Sequence, residues 1–180
     1  MQMDFKTVLT TLLKSFEERR VRYGLMGGFA LGLWGVPRST VDLDFLVHRE
    51  DLDKIDKVMQ GLGYERKFRS DNVSQYVASL KIFGEIDFLH AFRQASLEML
   101  ERAEEKAIFE GELKIKVLRP EDLIGLKLQA IKNNPARKEL DSSDIKALAA
   151  AQQGRLDWTL INEYAKILDA EDLLRELRKE

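Results

Sequence analysis

The stretch Tyr23–Val47, "YGLMGGFALGLWGVPRSTVDLDFLV", sets two adjacent glycines, one arginine and two aspartates among mostly apolar residues. In its last part Val41, Leu43, Phe45 and Val47 alternate with Asp42, Asp44 and Leu46, the period of a β-strand. Asp42 and Asp44 are then expected on one face of that strand. Ionised carboxylates beside a core need hydrogen bonds, a countercharge or a metal. Two of them side by side suit a divalent cation with oxygen ligands, or else a half-exposed strand whose polar residues face water. A second candidate strand, "KIFGEIDFL" (81–89), carries Asp87 between Ile86 and Phe88. If the two strands are neighbours, three carboxylates converge. Such a cluster suits two Mg2+ ions about 4 Å apart, with the third acid also able to take a proton from an attacking hydroxyl.

Working outward, Phe5, Val8, Leu9, Leu12, Leu13 and Phe16 predict an amphipathic helix over 4–20, with Asp4 near its start. Residues 22–24 read as a connection or short strand. Gly27 and Gly28 read as a tight turn ahead of a short helix ended by Gly35, and Pro37 extends Val36. Arg49–Leu62 is expected to be helical, and two strands follow at about 73–80 and 81–89. The basic stretch "ERKFRSDN" (65–72) ahead of them reads as a solvated loop, with a loop that guides a nucleic-acid acceptor as the alternative. A short helix is expected over 97–102, then a hairpin at 107–110 and 113–118. Pro120, followed by Glu121 and Asp122, opens a run of helices at 120–132, 138–152 and 158–178. The expectation is a mixed α/β core over residues 1–118 and a helical part over 119–180 that closes the cleft.

The chain has 180 residues, a net charge of −2, 44% apolar and 33% charged residues and no cysteine. A disordered chain, a disulfide framework and a strongly basic nucleic-acid binder are excluded. No apolar run reaches the roughly 18 residues that span a bilayer, and the opening residues lack a secretory pattern. A cytoplasmic location without membrane attachment is expected. His48 and His90 have no metal-ligand spacing and read as ordinary strand-end residues.

Two further charges stand out in the helical part. At about 100° per residue, Lys127 falls within the apolar stripe of Leu123, Ile124, Ala130 and Ile131, and Asp144 falls between Leu140, Ala147, Leu148 and Ala151. They either pair with each other across a helix interface or meet a ligand.

In order, Gly27-Gly28, a helix, Arg38-x-Thr40, Asp42-x-Asp44 and a later Asp87 resemble the signature of the polymerase-beta-type nucleotidyltransferase superfamily. The Gly-Gly-x-Ala-Leu variant is similar to that of the abortive-infection and type IV toxin-like enzymes, and of some antibiotic nucleotidyltransferases. "LKLQA" (126–130) and "RKELDSSDI" (137–145) resemble later motifs of the toxin group, although Leu140 stands where a basic residue is usual. The resemblance implies a nucleotidyltransferase fold: a short mixed sheet packed by helices, with a helical C-terminal part. It implies Mg2+-dependent transfer of a nucleoside monophosphate from an NTP to a hydroxyl. Asp42, Asp44 and Asp87 would bind metal, with Asp87 also the base. Gly27, Gly28, Arg38 and Thr40 would position the triphosphate, Lys127 would contact phosphates, and Asp144, with or without Asp141, would complete the site. An RNA (tRNA) or protein acceptor and an antitoxin partner are implied first. A small-molecule acceptor, or a catalytically silent nucleotide- or partner-binding module, is the alternative.

Overall fold

A computed structural model describes residues 3–179. The chain forms two compact units. One comprises the residues up to Ala30 with Ser39–Leu118, and the other Leu31–Arg38 with the chain from Arg119 onward. The inclusion of 31–38 with the C-terminal helices is not visible in the sequence.

In the first unit, seven strands among the described residues form one sheet: β1 (Tyr23–Met26), β2 (Leu43–His48), β3 (Tyr64–Arg69), β4 (Val73–Ala78), β5 (Glu85–Ala91), β6 (Glu104–Ile108) and β7 (Leu113–Val117). Their order is β3-β4-β5-β2-β1-β7-β6. β2 pairs parallel with β5 and β1 parallel with β7, while β1–β2, β3–β4, β4–β5 and β6–β7 are antiparallel. The mixed sheet has the expected character. The neighbouring of β2 and β5, left open by the sequence, is the pairing that matters most.

Helix α1 (Phe5–Arg19) begins where the Asp4 side chain accepts the Thr7 N–H at 3.0 Å, and it ends at left-handed Arg20. Its buried stripe of Val8, Leu9, Leu12, Leu13 and Phe16 is the one its periodicity predicts. Phe16 meets Phe45 of β2 and Phe88 of β5 at ring separations of 5.9 and 6.3 Å, and Tyr76 of β4 closes on Phe88 at 5.5 Å. This aromatic cluster fixes one face of the sheet as core, so the next residue along each strand points to the other face. α2 (Gly27–Leu33), α3 (Leu52–Gly61) and α4 (Gln94–Glu101) complete the helices up to residue 118.

In the second unit, α5 (Pro120–Asn133), α6 (Lys138–Ala151), α7 (Trp158–Ile167) and α8 (Glu171–Lys179) follow in sequence. The Asp157 side chain caps α7, and Pro120 opens α5. Ile161, Tyr164, Ala165, Leu174 and Leu177 are buried, whereas Ile167 is exposed.

Several expected elements shift. Val41, 72% exposed, and Asp42 both lie outside β2, which starts at Leu43, so Asp42 does not share a strand face with Asp44 as expected. β5 starts at Glu85, after a single 3-10 turn at Lys81–Phe83. The basic stretch 65–72 is largely strand: charges on both faces of β3 erase the period-2 pattern, because only Tyr64 of this edge strand is buried. The helix expected over 158–178 is broken at Asp169 (φ 51°), where the Ala170 N–H returns to the Ala165 carbonyl at 2.8 Å. Aspartate tolerates this left-handed conformation better than most residues.

Candidate active site

The face opposite the aromatic cluster carries one transverse row. The register pairs Met26 with Asp44, Asp44 with Asp87, Asp87 with Gln75, and Gln75 with Phe68. Register partners share a face. Five strands therefore present Met26, Asp44, Asp87, Gln75 and Phe68 side by side, and these residues line a cleft of about 300 Å³.

Each member has a structural cause. Gly27 directly follows β1 and opens α2 with φ +70°, turning strand into helix without an intervening loop. Gly28 is already helical, so the two glycines do not form a separate turn ahead of the helix. A Cβ on Gly27 would stand 2.0 Å from Oδ2 of Asp44; the absence of a side chain makes room for that carboxylate. Asp42 sits in the bend before β2, where the Thr40 hydroxyl donates to its carbonyl at 3.1 Å and lies 3.2 Å from its carboxylate.

Electrostatics tie the acids together. The Asp87 carboxyl is pushed up from its ordinary value, first by burial and then by the negative charges of Asp42 and Glu85, against a smaller lowering by a hydrogen bond from Gln75. Its Oδ1 is buried without a hydrogen-bond donor. Among the described residues, no three acidic or histidine side chains stand together as a ready group of metal ligands. Asp44 and Asp87 are brought together by register, while Asp42 reaches Asp87 through its charge. Glu85 went unrecognised in the sequence although "EID" (85–87) repeats the acid-x-acid spacing of "DLD" (42–44). Gln75 and Phe68 gave no signal, because only the register places them.

The other expected site residues lie in the second unit. Lys127 Nζ donates to Asp141 at 2.9 Å and to Asp144 at 2.6 Å. Arg38 pairs with Asp144, and Arg137 Nε donates to Asp141 at 2.8 Å. Asp141 and Asp144 are buried. Burial pushes the Asp141 carboxyl up, but hydrogen bonds from Arg137 and Lys127 outweigh it and hold it below its ordinary value. Lys127 thus joins Asp144, the pairing left open by the sequence. Arg38 belongs to this network, while Thr40, two residues on, serves Asp42. His90 is a core residue bonded to Ser74 at 3.0 Å and to the Asp71 carbonyl at 3.1 Å.

Residues 2–179 match the profile of a family described as uncharacterised nucleotidyltransferase. The chain belongs to this nucleotidyltransferase family. Its fold recurs in solved structures of low sequence identity. The complex of ANT(2″)-Ia with adenylyl-2″-tobramycin aligns at TM-score 0.65 and 15% identity, over 89% of this chain and 96% of that one. The lincomycin-bound lincosamide antibiotic adenylyltransferase LnuA aligns at 0.59 and 16%, over 84% and 99%. An antigenic nucleotidyltransferase-like protein from Paracoccidioides brasiliensis aligns at 0.55 and 16%, over 98% and 94%. No curated protein sequence matches significantly. Among the described residues, no helix is long and apolar enough to cross a membrane.

Proposed function

We propose that this nucleotidyltransferase transfers a nucleoside monophosphate from an NTP to a hydroxyl, with Mg2+ held by Asp42, Asp44 and Asp87. The observation that carries the reading is the register pairing of Asp44 with Asp87 beside a glycine whose missing side chain leaves room for the Asp44 carboxylate. The residues suit a hard divalent cation: their donors are carboxylate oxygens, and one buried Asp87 oxygen has no hydrogen-bond donor of its own. Bound there, Mg2+ supplies charge neutralisation at the transferred phosphoryl group. Asp44 and Asp87 are fixed by the strand ladder. Asp42 lies outside it, in the bend before β2, and would have to approach the other two to complete the ligand set.

Asp87 accepts the proton of the attacking hydroxyl. The acceptor oxygen bonds to the α-phosphorus, the bond from that phosphorus to its leaving oxygen breaks, and pyrophosphate departs in line. For Gly27, Gly28 and Thr40, the motif resemblance supports positioning of the triphosphate. For Lys127, with Arg38 and Asp144 around it, the motif resemblance supports contact with the phosphates.

The toxin-like motifs support an RNA or protein hydroxyl as acceptor, with an antitoxin as partner. The structures named for antibiotic adenylyl transfer, similar over nearly their whole length, support a small-molecule hydroxyl. The test is incubation with α-labelled NTPs, Mg2+ and separated cellular RNA, protein and small-molecule fractions. Label should enter one fraction with release of pyrophosphate, and Asp42→Asn or Asp87→Asn should abolish both while leaving the circular dichroism spectrum intact. Absence of pyrophosphate release in every fraction would favour a silent binding module.

A further inference from the structure

Beyond Asp87, on the side away from Asp44, the transverse row continues with Gln75 and then Phe68 at the sheet edge. Val73 and Leu89 are themselves register partners and border the same cleft. At about 4.8 Å per strand, Phe68 stands about 10 Å from Asp87 along the row, roughly the length of a small ring system with its hydroxyl. Phe68 is 53% and Val73 36% exposed, so an apolar surface at the sheet edge leads to a carboxylate. Gln75 is the polar side chain between the two; its Nε2 donates to Glu85 at 3.4 Å, and its side-chain carbonyl can accept. A sugar-phosphate backbone would instead want cations here. The cations on β3 are all engaged by carboxylates: Arg66 and Arg69 by Asp56 of α3 at 2.8 Å, and Lys67 by Glu65 at 2.6 Å.

From this placement we infer that the Phe68–Val73–Leu89 surface is the acceptor subsite, and that the acceptor is a small molecule whose apolar body rests there. Its hydroxyl points past Gln75 to Asp87. The inference rests on the nucleotidyl-transfer reading for its chemistry: the acceptor O–H gives its proton to Asp87, its oxygen bonds to the α-phosphorus, and pyrophosphate leaves. The cleft volume of about 300 Å³ is at the small end for ligand pockets. In-line displacement needs acceptor and leaving group on opposite sides of the phosphorus. The row provides this, because Gly27 borders Asp44 at one end and Phe68 closes the other.

The test has two arms. In the first, methyl-labelled protein is titrated with 2-phenylethanol, an aromatic ring bearing a primary hydroxyl, without nucleotide. Methyl shifts should be confined to Val73 and Leu89, with Met26 at the far end of the row unshifted, and Phe68→Asp or Val73→Asp should weaken the interaction at least fivefold. Both positions are partly exposed, and circular dichroism checks that the variants fold. In the second arm, transfer of α-labelled NTP into the small-molecule fraction should show at least a tenfold higher acceptor KM in Phe68→Asp, with the NTP KM within twofold. Label entering RNA or protein equally in wild type and Phe68→Asp would overturn the inference, as would unperturbed methyls at Val73 and Leu89. Failure of the nucleotidyl-transfer reading would show differently, as absence of pyrophosphate release from the wild-type protein in every fraction.

Discussion

Replacing Gly27 with alanine tests whether that glycine exists for the site. At φ +70° an L-residue is strained by roughly 1–2 kcal/mol. The new Cβ would also stand 2.0 Å from Oδ2, 2.7 Å from Cγ and 2.9 Å from Cβ of Asp44. Relieving that overlap moves the carboxylate or the β1–α2 turn, at roughly 1–3 kcal/mol for overpacking. Lower entropy of the unfolded chain returns about 0.4–1 kcal/mol, leaving a net loss of about 3 kcal/mol. With a slope of about 2 kcal/mol per M, the urea midpoint should fall by about 1.5 M. Displacing Asp44, the proposed metal ligand, by about 1 Å should slow transfer by about 100-fold. Gly61→Ala is the control: its added Cβ meets nothing within 4 Å, so it should be neutral or stabilising by up to about 1 kcal/mol. A Gly27→Ala protein with an unshifted midpoint and wild-type transfer would refute the reasoning.

Asp51 is buried and accepts from the Arg22 N–H at 2.9 Å, from Arg22 Nε at 2.8 Å and from Lys54 at 2.6 Å. Burial pushes its pKa up, yet these bonds hold it far below the usual carboxylate range. Its stabilisation is therefore complete above the unfolded value of about 3.9 and is lost as pH falls through the native value. Denaturation at several pH values should show wild-type stability dropping below about pH 4. Asp51→Ala should already be about 2–3 kcal/mol weaker at pH 7 and flatter in acid, the low end applying because Arg22 is half-exposed. Lys127→Met leaves Asp141 with Arg137 and Asp144 with Arg38, so thermal unfolding should report a loss of about 2 kcal/mol rather than collapse. Gly125→Ala sets its Cβ 2.6 Å from the Tyr164 ring, which Asp122 holds through a 2.5 Å hydrogen bond. Overpacking of about 1–3 kcal/mol should exceed the helix-propensity gain of about 1 kcal/mol, and denaturation should show a net loss.

The residues legible in advance were those whose chemistry contradicts their surroundings. Asp42, Asp44 and Asp87 each stand among apolar neighbours, and Lys127 and Asp144 fall on apolar helical stripes, so the sequence alone singles them out. What it left open was pairing. Lys127 had two readings, and only packing of α5 on α6 shows it bound to Asp141 and Asp144. β3 was missed because an edge strand buries one face weakly, and its Glu65, Arg66, Lys67 and Arg69 carry no alternation. Gln75 and Phe68 are ordinary residues whose position beside Asp87 comes from long-range register. Glu85 could have been found from its spacing to Asp87. Val41 was misplaced because the alternation runs one residue pair past the true start of β2.

The central claim is that Asp44 and Asp87 form a metal-nucleotide site, and the most direct measurement is calorimetric titration with a non-hydrolysable α,β-methylene NTP, each base in turn, with Mg2+ or with EDTA. At least one nucleotide should bind in a Mg2+-dependent manner, with affinity reduced tenfold or more, about 1.4 kcal/mol, in both Asp44→Asn and Asp87→Asn. Nucleotide binding that is indifferent to Mg2+, or equally tight in both asparagine variants, would contradict it.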